Sequence, residues 1–558
     1  MTARLRFTFI FIIFCFFGIT SRLFYWQVVK AEDLSRLGQS QYDTFIKLTP
    51  KRGEIKTSDR FSLVANKVSF LVFANPKEIK DKKKTADTLS SILHTDIASV
   101  SGFLSLDRFW VPIKSGVDNA TKQTIEQAKV DGVGFEQQSI RFYPEGSMSA
   151  HLTGFVGEDD GGFKGYFGLE GYYDRQLRGK AGIAVQIKDA LGRPILSKMN
   201  DKTGVIDGRN LVLSIDRVVQ FTAEKRLKDG VEKYQAAGGM VGIMDPKTGN
   251  ILAMVSYPSF DQQEFWKFDE GLYKNPFISN LYEPGSTFKS MVMAAGIDSS
   301  VVKPETKCPI CAKSISIGGY EIRTWNDRYY PNSTMVDVIK HSDNIGMVYV
   351  GSQLGINRLL SYLHKFGIGA QTGIDLQGEV AQELRGADRW YPLDAATLTF
   401  GQGISVTPIQ LLDAFSAIAN DGKRMEPHVV AKIETPDDQT ILIPPKVLEQ
   451  PISPTTAKVM TEILVNAVSN GEAKWAKPKG YRIAGKTGTA QIPIAGHYDP
   501  NKTIASFIGF APADNPKFAM LVIVDRPTTS IYGSETAAPI FFDIAKDLLT
   551  YYSISPTE

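Results

Sequence analysis

Metal-binding residues are scarce: the 558-residue chain has three cysteines and six histidines. Cys15 falls in an apolar N-terminal run, which leaves Cys308 and Cys311 of KCPICAK for the remainder. A structural zinc site needs about four such ligands close together. His94, His151, His341, His364, His428 and His497 form no i, i+4 pair and no CxxC-linked cluster, so neither metal nor cofactor is expected. In an oxidising compartment the plain reading of the cysteine pair is a local disulfide; a redox-active pair would need a βαβ pattern around it. Charge of one sign is also in short supply. Lys plus Arg exceed Asp plus Glu by three, which offers no electrostatic reason to invoke nucleic acid. Tandem repeats and low-complexity tracts are missing, which argues against a solenoid or a linker array.

Apolar sequence is concentrated at the N-terminus. Arg4 and Arg6 precede FTFIFIIFCFFGIT, and the run resumes after Arg22 as LFYWQVV. Phe7 to Val29 is long enough to cross a bilayer, which takes about 20 residues, if Arg22 snorkels to the interface. A cleaved signal peptide would need a small-x-small site, and none follows. An uncleaved anchor over 7–29 is therefore expected, with residues 1–6 cytoplasmic and the rest outside the cytoplasm.

Residues 30–215 carry short alternating stretches and glycine turns, such as SFLVFANP, and read as a β-rich pedestal. The texture changes at GRNLVLSIDRVVQFTAEKRLKD, which places a boundary near 215 and a second domain over 216–558. There GGMVGIMDPKTGNILAMVSYP reads as a hairpin and TFKSMVMAAGID as a buried helix. YRIAGKTGTAQI, TIASFIGFAP and KFAMLVIVDRP read as strands, and AAPIFFDIAKDLLTYY as a closing amphipathic helix. That order implies an α+β domain, an antiparallel sheet with helices packed on it.

Gly480 to Thr487, GYRIAGKT, matches the phosphate-binding loop G-x-x-x-x-G-K-T letter for letter. The loop also needs a helix starting at its lysine. Here Tyr481, Arg482 and Ile483 are bulky and β-favouring, and GTAQIP runs from the lysine into Pro493. The nucleotide reading therefore fails.

The same lysine has another use. YEPGSTFKS sets Ser286 and Lys289 at i, i+3, a weak nucleophile one helical turn from an amine. Packed against the apolar run after Phe288, the lysine would lose hydration and become a usable base. Alone, S-x-x-K is cheap, at about two per chain of this size by chance. Ser342-Asp343-Asn344 by itself reads as a helix cap. Lys486-Thr487-Gly488, followed by Thr489, would by itself be an edge strand, but K-T-G arises by chance only about 0.1 times. The three strings in this order are the set of penicillin-binding proteins and class A β-lactamases.

Here the chain resembles the class B penicillin-binding proteins. The resemblance extends to KRGEI, RFYPEGSMSAHLTGFVG, FGLEGYYDRQLRGKAG, GIMDPKTGNILAM, FGIGAQTGIDLQGE and FGQGISVTPIQL, whose weight lies in number and order. It implies a penicillin-binding, serine β-lactamase-like transpeptidase domain, an antiparallel sheet with helices on both faces, on the β-rich pedestal and a transmembrane helix. It implies that Ser286 attacks the penultimate D-Ala carbonyl of a stem peptide while Lys289 takes its proton. Ser342 and Lys486 would relay a proton to the leaving amine. Asn344, Thr487, Gly488 and Thr489 would hold substrate, with the hydroxyls of Thr487 and Thr489 on its terminal carboxylate. Backbone N–H groups of Ser286 and Thr489 would form the oxyanion hole. β-Lactam antibiotics would acylate Ser286, and a membrane glycan polymerase of the SEDS family is the implied partner. Division is expected ahead of elongation on the S-x-N form of the second motif. A β-lactamase would need a water-activating glutamate; Glu379 and Glu383 lie in the right stretch, but the asparagine partner is missing. A penicillin sensor, a resistance variant and a non-enzymatic scaffold are the remaining readings.

Overall fold

The computed structural model describes residues 2–159, 162–188, 194–494 and 497–557. The chain forms two compact units, Met1–Arg52 with Arg178–Gly208, and Gly53–Leu177 with Arg209–Glu558.

In the first unit a helix over Thr2–Phe24 continues through a wider π-type turn at Tyr25–Val29 and is followed by a helix over Ala31–Tyr42. Thr2–Val29 has a mean hydropathy of 2.0 over its best window and none of that window buried. Its 28 residues span about 42 Å at 1.5 Å per residue, against a hydrocarbon core of about 30 Å. Helical backbone satisfies its own polar groups, which is what a bilayer demands. Strands Asp43–Leu48, Gly182–Lys188 and Pro194–Thr203 form a three-stranded antiparallel sheet.

The second unit contains two larger sheets. One has seven strands, in the order Thr440–Leu442, Val430–Glu434, Asn210–Leu213, Ile55–Lys56, Ser62–Ala74 and Val111–Val117, with Val133–Phe142 also on Ser62–Ala74. Strands distant in sequence thus share one sheet, and Asn210–Leu213 runs parallel to Ile55–Lys56. Three short helices, Lys82–Leu93, Ile97–Ser105 and Asn119–Gln127, are each capped by an aspartate side chain. The sequence reading, which credited this region with strands, passed over them because each spans only two to three turns.

The other sheet has five antiparallel strands: β1 (Gly238–Met244), β2 (Ile251–Tyr257), β3 (Ala484–Ile494), β4 (His497–Ala511) and β5 (Phe518–Asp525), in the order β2-β1-β5-β4-β3. The expected hairpin is β1–β2 and the three expected strands are β3 to β5. β5 is apolar from Phe518 to Val524 because both faces are covered there. Met520, Val522 and Val524 join a core with α1 (Arg217–Lys233) and α7 (Ala537–Tyr551). Ala519, Leu521 and Ile523 face the opposite core, with α2 (Lys289–Asp298), α5 (Pro408–Ala419) and α6 (Pro454–Asn470). Period-two alternation thus sends successive side chains into different cores. Lys486 lies within β3, not at the start of a helix, as the failed nucleotide reading requires.

Candidate active site

Ser286 sits in a 3₁₀ turn, Gly285–Thr287, that leads into α2. Ser286 and Lys289 thus lie three residues apart, the serine in the turn and the lysine at the first position of α2. Gly285 has φ +57° and Gly401 φ +79°. A Cβ on Gly401 would lie 2.2 Å from the Gly285 carbonyl oxygen, and the Gly285 N–H donates to the Gly401 carbonyl at 3.0 Å. Gly403 N–H donates to Glu283 at 3.1 Å, and Tyr282 and Val406 exchange two 3.0 Å backbone bonds. FGQGISV, a string with no evident chemistry in sequence, therefore clamps the turn that carries Ser286.

Ser342 follows α3 (Met335–Lys340) with φ +55°, the left-handed region that a non-glycine residue adopts rarely. From there both its carbonyl and its hydroxyl accept from the Lys289 ammonium, at 2.7 and 3.2 Å. Asn344 Oδ1 accepts from the same Nζ at 2.8 Å. Asp343 caps α4 (Asn344–Leu354) by accepting from the N–H groups of Ile345 and Gly346, at 2.8 and 3.2 Å. The cap expected of Ser-Asp-Asn falls to Asp343, while Ser342 and Asn344 lie against Lys289. Asn344 Nδ2 donates to the Arg323 carbonyl at 2.9 Å, which orients the amide.

β3 is the last strand of its sheet, so its outer edge offers backbone groups to an extended peptide. At Gly488 a Cβ would meet Ser506 Oγ at 2.3 Å and Thr287 Cγ2 at 2.9 Å, so glycine lets this edge close onto the Ser286 turn. Lys486 Nζ donates to Thr487 Oγ1 at 3.1 Å. Thr489 Oγ1 accepts from the Gly533 N–H at 3.0 Å, which leaves its hydroxyl proton for another acceptor.

Lys289 is fully buried and Lys486 is 3% exposed. Burial, followed by the like charge of Lys486, holds Lys289 well below the usual lysine range, with Asp343 and Glu472 opposing. Burial lowers Lys486 too, and Glu472 opposes it. A desolvated amine is a base that can be neutral near physiological pH, the requirement for taking a hydroxyl proton.

Sequence reasoning did not find Glu472, on the loop between α6 and β3, because no motif contains it. It also passed over Trp325 and Tyr532, exposed rings 5.6 Å apart on the segments that hold Asn344 and Thr489. Glu379 accepts from Thr372 N, Thr372 Oγ1 and Gly373 N at 2.6, 2.7 and 3.2 Å, a loop clamp whose oxygens are already engaged. Cys308 and Cys311 form a disulfide. Among the described residues no group of three or more His, Cys, Asp or Glu could hold a metal ion.

Residues 239–546 match the family model of the penicillin-binding protein transpeptidase domain, and residues 47–213 that of the penicillin-binding protein dimerisation domain. Stage V sporulation protein D of Bacillus subtilis is 35% identical, over 99% of this chain and 86% of its own length. Peptidoglycan D,D-transpeptidase FtsI of Escherichia coli K12 is 28% identical, over 96% and 90%. A peptidoglycan synthetase from Bifidobacterium adolescentis superposes with a TM-score of 0.74 at 25% identity, covering 92% of this chain and 98% of that one. Penicillin-binding protein 3 from Mycobacterium tuberculosis, complexed with aztreonam, superposes with a TM-score of 0.72 at 24% identity, covering 92% and 98%.

Proposed function

The chain belongs to the class B penicillin-binding proteins and is a serine-type peptidoglycan D,D-transpeptidase of division or elongation, and we propose that Ser286 is its nucleophile and Lys289 its base. The observation that carries this reading is the Lys289 ammonium bonded at once to Ser342 and Asn344, more than fifty residues away. Neutral Lys289 accepts the Ser286 proton as Oγ attacks the D-Ala carbonyl, and D-Ala leaves as the acyl-enzyme forms. Ser342 and Lys486 return a proton to the departing amine. Thr489 and the Lys486 charge hold the terminal carboxylate, while the Ser286 and Thr489 N–H groups meet the developing oxyanion. The amine of a second stem peptide then attacks the ester and completes the cross-link.

Peptidoglycan and β-lactams are its ligands. The anchor is assigned to residues 7–29, which the length and apolar character of the helix support; residues 1–6 are assigned to the cytoplasm and the catalytic domain to the outside, on the basic N-terminal flank. The pedestal is assigned to 30–215 and the catalytic domain to 216–558, supported by the two family matches. A SEDS-family glycan polymerase is the proposed membrane partner, on resemblance alone. A β-lactamase is disfavoured because Glu379 is committed to its loop clamp.

The test is labelling of the full-length protein with a fluorescent penicillin. Wild type should carry a stable label and Ser286→Ala none; a variant that still labels refutes the assignment, and rapid loss of label from wild type indicates a lactamase.

A further inference from the structure

We propose that Glu472 is a positioning residue for Lys486, and that it works through a directed hydrogen-bond chain ending on its carboxylate. The inference rests on the transpeptidase reading above, in which a protonated Lys486 serves carboxylate binding and proton return. Lys486 Nζ donates to Thr487 Oγ1 at 3.1 Å, and that hydroxyl donates its one proton to Glu472 Oε2 at 3.1 Å. Thr487 therefore has no proton left for the substrate carboxylate. Thr489, whose oxygen already accepts from Gly533, is the hydroxyl that can donate to substrate.

The other oxygen, Glu472 Oε1, is sealed from solvent with no hydrogen-bond partner. Burying part of a carboxylate without partners is costly unless a cation lies close. Glu472 lines a small cavity, about 10 Å³, with Lys486, Thr487, Gly485, Ile339, Lys340 and Phe507.

The charges around this cavity come from four elements. Lys289 on α2 is a like charge to Lys486. On α3, Lys340 is held at 2.6 Å by Asp337, so its charge is already paired. His341, just after α3, stacks on Tyr330 with ring centroids 4.0 Å apart and sits below its ordinary range, through burial and the neighbouring Lys340. Asp343 directs Oδ1 to the cap of α4. Two buried lysines in one site repel, and each deprotonates more readily than in water. Glu472 counters this at Lys486, where it opposes the effect of burial. At Lys289 it is the smallest of four influences. One carboxylate thus separates two lysines by function, favouring the charged form of Lys486 more than that of Lys289.

The experiment measures acylation of the full-length protein by fluorescent penicillin across pH, with thermal melting alongside. Wild type should give a bell, rising as Lys289 loses its proton and falling as Lys486 does. Glu472→Gln keeps an oxygen for the Thr487 hydroxyl but removes the charge. Its alkaline limb should move to lower pH, with the acid limb following by less, and the rate at the alkaline end should fall by roughly tenfold, the lower end of what losing an outer-shell partner costs in metal sites. Glu472→Asp retains charge and should keep the alkaline limb closer to wild type than Glu472→Gln does. Unchanged limbs in Glu472→Gln, whether or not melting falls, overturn the proposal, since a merely structural bond would lower the rate at every pH alike. Ser286→Ala run in parallel separates the two readings: label on that variant refutes the nucleophile, whereas no label there with unshifted Glu472→Gln limbs refutes only the role of Glu472.

Discussion

Replacing Gly488 by alanine isolates the contact between the edge strand and the Ser286 turn. The added Cβ would lie 2.3 Å from Ser506 Oγ, 2.9 Å from Thr287 Cγ2 and 3.3 Å from the Pro284 carbonyl oxygen. Ser506 can rotate away. Thr287 cannot, because its hydroxyl donates to the Pro284 carbonyl at 2.7 Å and that bond sets the rotamer. Carbon pairs settle at about 3.5–4.0 Å, so strand and turn must part by roughly 0.6–1 Å. A displacement of that size between reacting groups costs about 10²-fold in rate, while overpacking costs about 1–3 kcal/mol of stability. Gly488→Ala should therefore fold, melt somewhat earlier, and acylate about 10²-fold more slowly in a stopped-flow penicillin assay. Acylation within about threefold of wild type would refute the claim that this glycine sets the approach of β3 to Ser286.

Lys289 and the pedestal provide two further tests. Lys289→Met removes the buried base and should slow acylation by about 10²–10⁴-fold; in wild type, because burial holds this amine low, acylation should rise with pH through that lowered value, a rise the variant should lack. Arg141 donates from Nε to Glu170 at 2.6 Å, with the two side chains 5% and 0% exposed. Arg141→Ala strips a buried carboxylate of this cation and should cost about 3–5 kcal/mol, read as a lowered thermal midpoint, and Arg141→Lys should recover only part of it.

Pattern alone carried much of the fold. The β1–β2 hairpin, strands β3 to β5 and the helices α2 and α7 were legible because each spans enough residues for a periodicity to show. The short helices at 82–93, 97–105 and 119–127 were not, and neither was the pairing of Asn210–Leu213 with both Ile55–Lys56 and Val430–Glu434. Hydrogen bonds between strands far apart in sequence leave no local trace. Glu472 was missed for a related reason: it lies in a loop, outside every motif, and meets Thr487 only in the folded chain.

Sequence alone supplies the side chains proposed for the chemistry, Ser286, Lys289, Ser342, Asn344, Lys486 and Thr489, because their identity is covalent, and their motifs name the family. Their protonation state belongs to the fold. Whether an amine is a base or a cation depends on its distance from water and from other charges, and those are set by packing. The α2 core seals Lys289, the left-handed Ser342 turns two oxygens toward it, and Gly401 and Gly488 admit backbone where a side chain would intrude. None of those distances exists until segments some fifty to two hundred residues apart close on one another.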